Sequence, residues 1–133
     1  MPTTDLEAAT FEQTVTENEI VLIDFWASWC GPCRQFAPVY EQASQAHPEI
    51  VFGKVDTEAQ RELATAARIT SIPTLMAFKD GKLVFSQPGA LPASALAQVI
   101  DAVSGLDTSE LVRPGEAGPG DGTGEASPGG GTR

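Results

Sequence analysis

The chain has 133 residues and a formal charge of −10, with 41% apolar and 20% charged residues, which suits one soluble domain around a single hydrophobic core. An acidic chain with no basic stripe excludes nucleic acid as the expected partner and argues against docking on anionic lipid, and no run is long enough to span a bilayer. Met1 to Phe11 carry acids and threonines rather than a basic segment followed by an apolar stretch, so no secretory signal is expected and the cytoplasm is the expected compartment.

In chain order, Thr4-Asp5-Leu6-Glu7 matches a capping box that would start a helix near Asp5. Ile20 to Trp26 is apolar on both alternating faces, as expected of a central strand covered on each side, with Asp24 the exception inside it. From Pro32 to about His47, Phe36, Val39/Tyr40, Ala43 and Ala46 recur at three and four residues, which predicts a helix that Pro38 should kink. Ile50 to Val55 reads as a strand and Glu58 to Ala67 as a helix. Thr74 to Phe78 and Lys82 to Phe85 read as a hairpin across Lys79-Asp80-Gly81, and Pro92 to Val103 as a last helix ended by Gly105. This alternation is the pattern of an α/β domain. Residues 114–133 hold eight Gly and three Pro with no aromatic or large aliphatic residue, and so cannot offset chain entropy by burial. The expected organisation is one domain over 1–106 and a disordered Gly/Pro-rich acidic tail over 107–133.

The only two cysteines lie in Trp29-Cys30-Gly31-Pro32-Cys33, just after the apolar strand. Two intervening residues let both sulfurs sit at the start of one helix turn, where Pro32 is tolerated because an N–H there is unpaired anyway. In a reducing compartment such a pair is catalytic or metal-binding rather than a permanent staple, with the dithiol as its default state. Unpaired N–H groups at a helix N-terminus favour a thiolate at Cys30, making it the attacking sulfur, with Cys33 behind it to complete the exchange. Cys33 should be the more buried of the two and needs a base. Asp24, desolvated in its strand, should have a raised pKa suited to that task; its plain alternative is a structural Asp paired with a polar neighbour. Half a zinc site is the rival for the cysteines, but it would need ligands from a second chain, because His47 is the only histidine. A clamp or holdase without turnover is the other rival, and the intact pair argues against it.

The string VLIDFWASWCGPC, the Ser71-Ile72-Pro73-Thr74 segment, the FKDGK hairpin and Gly89 together resemble the thioredoxin family over about residues 3–104. The stretch KVDTEAQREL further resembles a bacterial, cytosolic subgroup in which some members carry an extra cysteine-rich zinc module that this sequence lacks. The resemblance implies a thioredoxin fold, a central mixed five-stranded sheet flanked by four helices. It also implies a short first strand, with its helix beginning near Ala8 and not at Asp5. It implies reduction of protein disulfides through Cys30, Cys33 and Asp24, and a client surface made by Trp29, Gly31, Pro32, Ile72, Pro73 and Gly89. The Ile72–Pro73 bond would be cis, although X–Pro bonds in general are cis only about 5% of the time. No metal and no cofactor of its own is implied. Partners would be disulfide-containing client proteins and a thioredoxin reductase that uses NADPH, with the chain itself a monomer. Trp26 is assigned to packing, Arg34 to a solvated charge, and His47 to no catalytic part. One departure stands out: many bacterial members carry a lysine at the position aligned with Phe52, so the tuning of Asp24 rests on whether Lys54, on the same strand face, reaches it.

Overall fold

Among residues 3–109, which the structure, a computed structural model, describes, the elements are β1 (Thr3–Asp5), α1 (Ala8–Glu17), β2 (Ile20–Trp26), α2 (Gly31–Ala46), β3 (Val51–Asp56), α3 (Arg61–Ala66), β4 (Thr74–Lys79), β5 (Lys82–Pro88) and α4 (Ala93–Ser104). The five strands form one sheet in the order β1-β3-β2-β4-β5, parallel from β1 through β2 and antiparallel from β2 to β5. This is the mixed sheet with four helices that the resemblance implies.

Strand parity decides what meets what. Leu22, Phe52, Leu75 and Ala77 point to one face, where Phe36 and Tyr40 of α2 and Leu96, Ile100 and Val103 of α4 cover them. Val21, Ile23, Phe25, Val55, Met76 and Phe78 point to the other, against Leu6, Phe11 and Val15 and against Leu63 of α3. Because successive side chains alternate, Asp24 shares the α2 face with Leu22, two residues before it. Lys54 shares that face with Phe52. Gly53 between them leaves room for Leu6, whose side-chain end would lie 2.5 Å from a Cβ there and would have to shift.

Several boundaries differ from the sequence expectation for local reasons. The capping signal starts no helix at Asp5, because Thr3–Asp5 pairs with Phe52–Lys54 and the Leu6 N–H donates to the Lys54 carbonyl at 2.8 Å; the ladder wins over the cap, and the strand is followed by a helix from Ala8, as the resemblance implies. The α3 helix begins at Arg61 rather than Glu58, because an Asp56 carboxylate oxygen takes the N–H groups of Glu58 and Ala59 into a turn. Helix α2 continues through Pro38 without a break. The hairpin turn is only Asp80-Gly81, both at positive φ (55° and 79°), as a two-residue type I′ connection demands. Lys79 thereby stays in the strand.

Just beyond the expected domain end at 106, Thr108 is buried, its hydroxyl donates to Asp80 at 2.6 Å, and its carbonyl accepts from the Lys82 ammonium. The Gly/Pro-rich stretch 114–133 lies outside the described residues.

Candidate active site

Helix α2 opens on the cysteine pair. Cys30 is its N-cap residue, with extended backbone, and its Sγ accepts the Cys33 N–H at 3.2 Å, so the sulfur takes the place that a serine or aspartate oxygen holds in an ordinary cap. Pro32 falls in the first turn, where its missing N–H costs nothing. The pair is closed as a Cys30–Cys33 disulfide with the Cα atoms 5.2 Å apart. It therefore stands in the oxidised state of a couple whose cytoplasmic default was expected to be the dithiol.

The expected difference in burial between the sulfurs is corrected: Cys30 is 4% exposed and Cys33 3%, because both pack under Ala27, Trp26 and Ile72. What distinguishes them is the side each faces. Cys30 lines an open surface groove of about 470 Å³ with Trp29, Gly31, Pro32, Thr57, Ile69 and Ile72. Cys33 lines a separate, smaller, partly open pocket of about 90 Å³ with Asp24, Trp26, Ser28, Arg34 and Lys54. A space of that size admits a few waters.

The groove gathers most of the expected client surface. Trp29 is 65% exposed. The Ile72 carbonyl lies 3.7 Å from Cys30 Sγ. The Ile72–Pro73 bond is cis, as the resemblance implies, and the Pro73 carbonyl accepts the Gly89 N–H at 2.7 Å, which brings Gly89, at φ +105°, beside the same loop. Thr57, Ala64, Ile69 and Thr70 complete the walls and were not foreseen. They come from the β3–α3 connection and from α3 and the segment after it, whose role only the fold reveals. Thr57 is fixed there by two bonds to the Trp26 carbonyl, from its N–H at 2.9 Å and its hydroxyl at 3.0 Å.

Inside, Asp24 is 1% exposed and neither of its carboxylate oxygens has a hydrogen-bond partner among the described residues. Burial pushes its pKa up to about 7, against the opposing pull of the Lys54 ammonium. In the parallel register of β2 and β3, Asp24 stands opposite Lys54. Position 54, not 52, is therefore the one that faces the acid, and the lysine thought to be missing is present. Phe52 instead packs edge-on against Tyr40, with ring centroids 5.2 Å apart. The Lys54 ammonium sits 5.0 Å from the centroid of the Trp26 ring, which gives Trp26 a part beyond packing: it seats the cation next to the acid. Tyr40, whose hydroxyl donates to the Gly53 carbonyl at 2.8 Å, is pushed well above its usual pKa by burial and by the Asp24 charge. His47 caps the far end of α2, away from the cysteines. Among the described residues no three His, Cys, Asp or Glu side chains gather to hold a metal, and no helix is long and apolar enough to cross a membrane.

A mixed five-stranded sheet that ends its central strand in a two-cysteine helix cap, beside a cis-proline loop and above a buried carboxylate, defines the class of thioredoxin-fold thiol–disulfide oxidoreductases. Residues 2–102 match the Thioredoxin family model. A Streptomyces coelicolor relative that bears the name thioredoxin 2 is 61% identical over 109 residues, covering 82% of this chain and 81% of its own, and thioredoxin 1 of Synechococcus elongatus is 48% identical over 95 residues, covering 70% and 89%. Among solved structures, Plasmodium falciparum thioredoxin superposes with a TM-score of 0.70 at 39% identity over 74% of this chain and 97% of its own. The chain belongs to the thioredoxin family, the dithiol protein-disulfide reductases.

Proposed function

We propose that the protein is a cytoplasmic, monomeric carrier of reducing equivalents that reduces disulfides in client proteins and is itself reduced by an NADPH-dependent thioredoxin reductase. It carries no cofactor of its own. The Cys30 thiolate attacks one sulfur of a client disulfide, forming a mixed disulfide and releasing the other client sulfur as thiolate. Cys33, deprotonated through Asp24, then attacks Cys30 Sγ; the Cys30–Cys33 bond forms, the mixed bond breaks, and the second client sulfur leaves. Two electrons pass to the client, and the reductase returns them.

The observation that carries this reading is the division of the pair between two spaces, Cys30 on the open groove and Cys33 on the pocket that holds Asp24. Activation of Cys30 alone is too small to suffice. A thiol lowered from about 8.5 to the value near 7 carried over from thioredoxins gains roughly fifteenfold in thiolate at neutral pH but loses roughly fivefold in nucleophilicity. Proximity supplies the remainder, since well-oriented intramolecular attack reaches effective molarities of about 10⁵ M or more. Trp29, Gly31, Pro32, Ile72, Pro73 and Gly89 supply the surface on which an extended client segment lies, with the Ile72 backbone as its pairing edge.

The test mixes the protein with NADPH, a thioredoxin reductase and a disulfide-bonded protein, and follows NADPH loss. The Cys33→Ser variant should accumulate client mixed disulfides through Cys30, and Cys30→Ser should accumulate none. Equal trapping by both variants contradicts the assigned order.

A further inference from the structure

The chain beyond α4 is led to one particular place. The Leu106 carbonyl accepts from the Lys79 ammonium, and Thr108 is fastened to the β4–β5 turn through its hydroxyl on the Asp80 carboxylate and its carbonyl on the Lys82 ammonium. The path therefore runs from α4, on one face of the sheet, to the tip of the hairpin at Asp80-Gly81. On the other face, bordered by that same Gly81, lies an open groove of about 580 Å³. Phe11 and Val15 of α1 and Leu63 of α3 wall it, and Met76, Phe78 and Leu83 form its floor. Leu83, at 42%, is the most exposed large aliphatic side chain among the described residues, so this apolar surface is open to a partner. Glu12 and Arg68 stand exposed at its rim.

We propose that the groove is the docking site of this chain's own segment Glu110-Leu111-Val112-Arg113, with the two aliphatic side chains on Met76, Phe78 and Leu83, Glu110 beside Arg68 and Arg113 beside Glu12. Four observations select that occupant. Thr108 is held one residue from the groove's near end, and Leu111, three residues on, comes within about 10 Å of it. Leu111 and Val112 are the only large aliphatic residues after Leu106, and they come just before a stretch with none. They are flanked by one acid and one base, as the groove is rimmed by one base and one acid. The alternative groove, between β5 and α4, has no charged side chain and lies back along α4, behind the point where Asp80 and Lys82 hold Thr108. Docked there, the segment packs on the back of α3, a helix of 6 residues with no buried side chain, whose Ala64 walls the groove beside Cys30. Docking itself requires no redox activity.

The experiment uses the full chain with labelled Leu, Val and Met methyl groups and labelled Phe rings. Nuclear Overhauser contacts are expected from the Leu111 and Val112 methyls to the Met76 methyl and the Phe78 ring. In the chain carrying Leu111→Ser and Val112→Ser, which alters no described residue, the amides of Ala64, Ala67 and Ile69 should exchange about tenfold faster, on the order expected when the burial of one aliphatic side chain is lost. Arg113→Glu should speed the same exchange about twofold, in the range of one exposed ion pair, and adding Glu12→Arg should undo it. An absence of these contacts overturns the proposal. Contacts seen only between differently labelled chains in a mixed sample give the groove to a second copy and overturn it too, as do contacts to Val84 and Val99, which line the other groove. Exchange unchanged by the double serine variant, or an Arg113→Glu effect that Glu12→Arg fails to reverse, overturns the placement as well.

Discussion

Two charged side chains are buried in the strands of this sheet, and they are buried in opposite ways. Lys79, at the end of β4 and 6% exposed, gives its ammonium to the carbonyls of Ser104, the last residue of α4, and Leu106 just beyond it, both at 2.7 Å. Asp24, in the middle of β2 and 1% exposed, has no hydrogen bond to either oxygen from the described residues. Both lie on the face that α2 and α4 cover. A buried charge with its partners supplied is part of how the chain holds together; a buried carboxyl without a protein partner makes its own ionisation costly. The contrast separates the end of the molecule that closes the fold from the end that works.

The sharpest way to break the contrast is to remove the unpartnered acid. Below pH 3.8 Asp24 is protonated in the folded and the unfolded chain and costs nothing. Between 3.8 and about 7 the unfolded chain ionises while the folded one stays protonated, so stability falls as pH rises, and the full penalty is present above 7. At 1.36 kcal/mol per pH unit that window is worth about 4 kcal/mol. Asp24→Asn should therefore be more stable than the native protein by about that amount at pH 8 and equal to it at pH 3.5, as read by urea unfolding at the two pH values. The same variant should lose at least tenfold in disulfide turnover at pH 7, in the range of a missing general base. Stabilisation that did not depend on pH would end the description of Asp24 as an acid whose ionisation is costly.

Lys79→Met should do the reverse. Two charge-assisted bonds are lost and two carbonyls are left to find water, so a loss of about 3 kcal/mol is expected in the same unfolding measurement. Turnover by the folded variant should match the native value, since Lys79 is held by the far end of α4. A fall in turnover with stability unchanged would erase the distinction between the two ends.

How visible this was in the sequence differs from one feature to the next. Ile20–Trp26 announced itself as a doubly covered strand because it is apolar at every position but one, and the cysteine pair because a helix follows it at once. Asp24 was legible for the same reason, as the one acid where none should be. Lys54 was not read as its neighbour, because the register of two parallel strands joined by a helix is written in no local pattern; counting from a family alignment put the lysine two residues too early. The even burial of Cys30 and Cys33 was equally hidden, since it depends on Ala27 and Ile72 arriving from two different loops. Arg34 looked like any surface charge, because the bond from its guanidinium to the Ser28 carbonyl, six residues earlier, leaves no trace in composition or periodicity. Local competition explains the rest: Thr4 to Glu7 is a valid capping signal, and only the presence of β3 alongside turns it into a strand.

The smallest expected effect belongs to the charge facing Asp24. Lys54 lowers the pKa of the acid without bonding to it, its ammonium resting on the Trp26 ring. Lys54→Met should therefore act in two separable parts. Loss of the cation–ring contact costs about 0.5 kcal/mol at every pH. Loss of the Coulomb attraction moves the Asp24 midpoint upward, which deepens the penalty for the ionised acid by about 1 kcal/mol above pH 8 and adds nothing at pH 3.5, where the acid is protonated with or without its neighbour. In the Asp24→Asn background only the first part should survive. A double-mutant cycle at pH 8.5 should thus give a coupling of about 1 kcal/mol between positions 24 and 54, vanishing at pH 3.5. A coupling of the same size at both pH values would mean that Lys54 holds the strand through packing alone, leaving burial as the only influence on the acid beneath the cysteines.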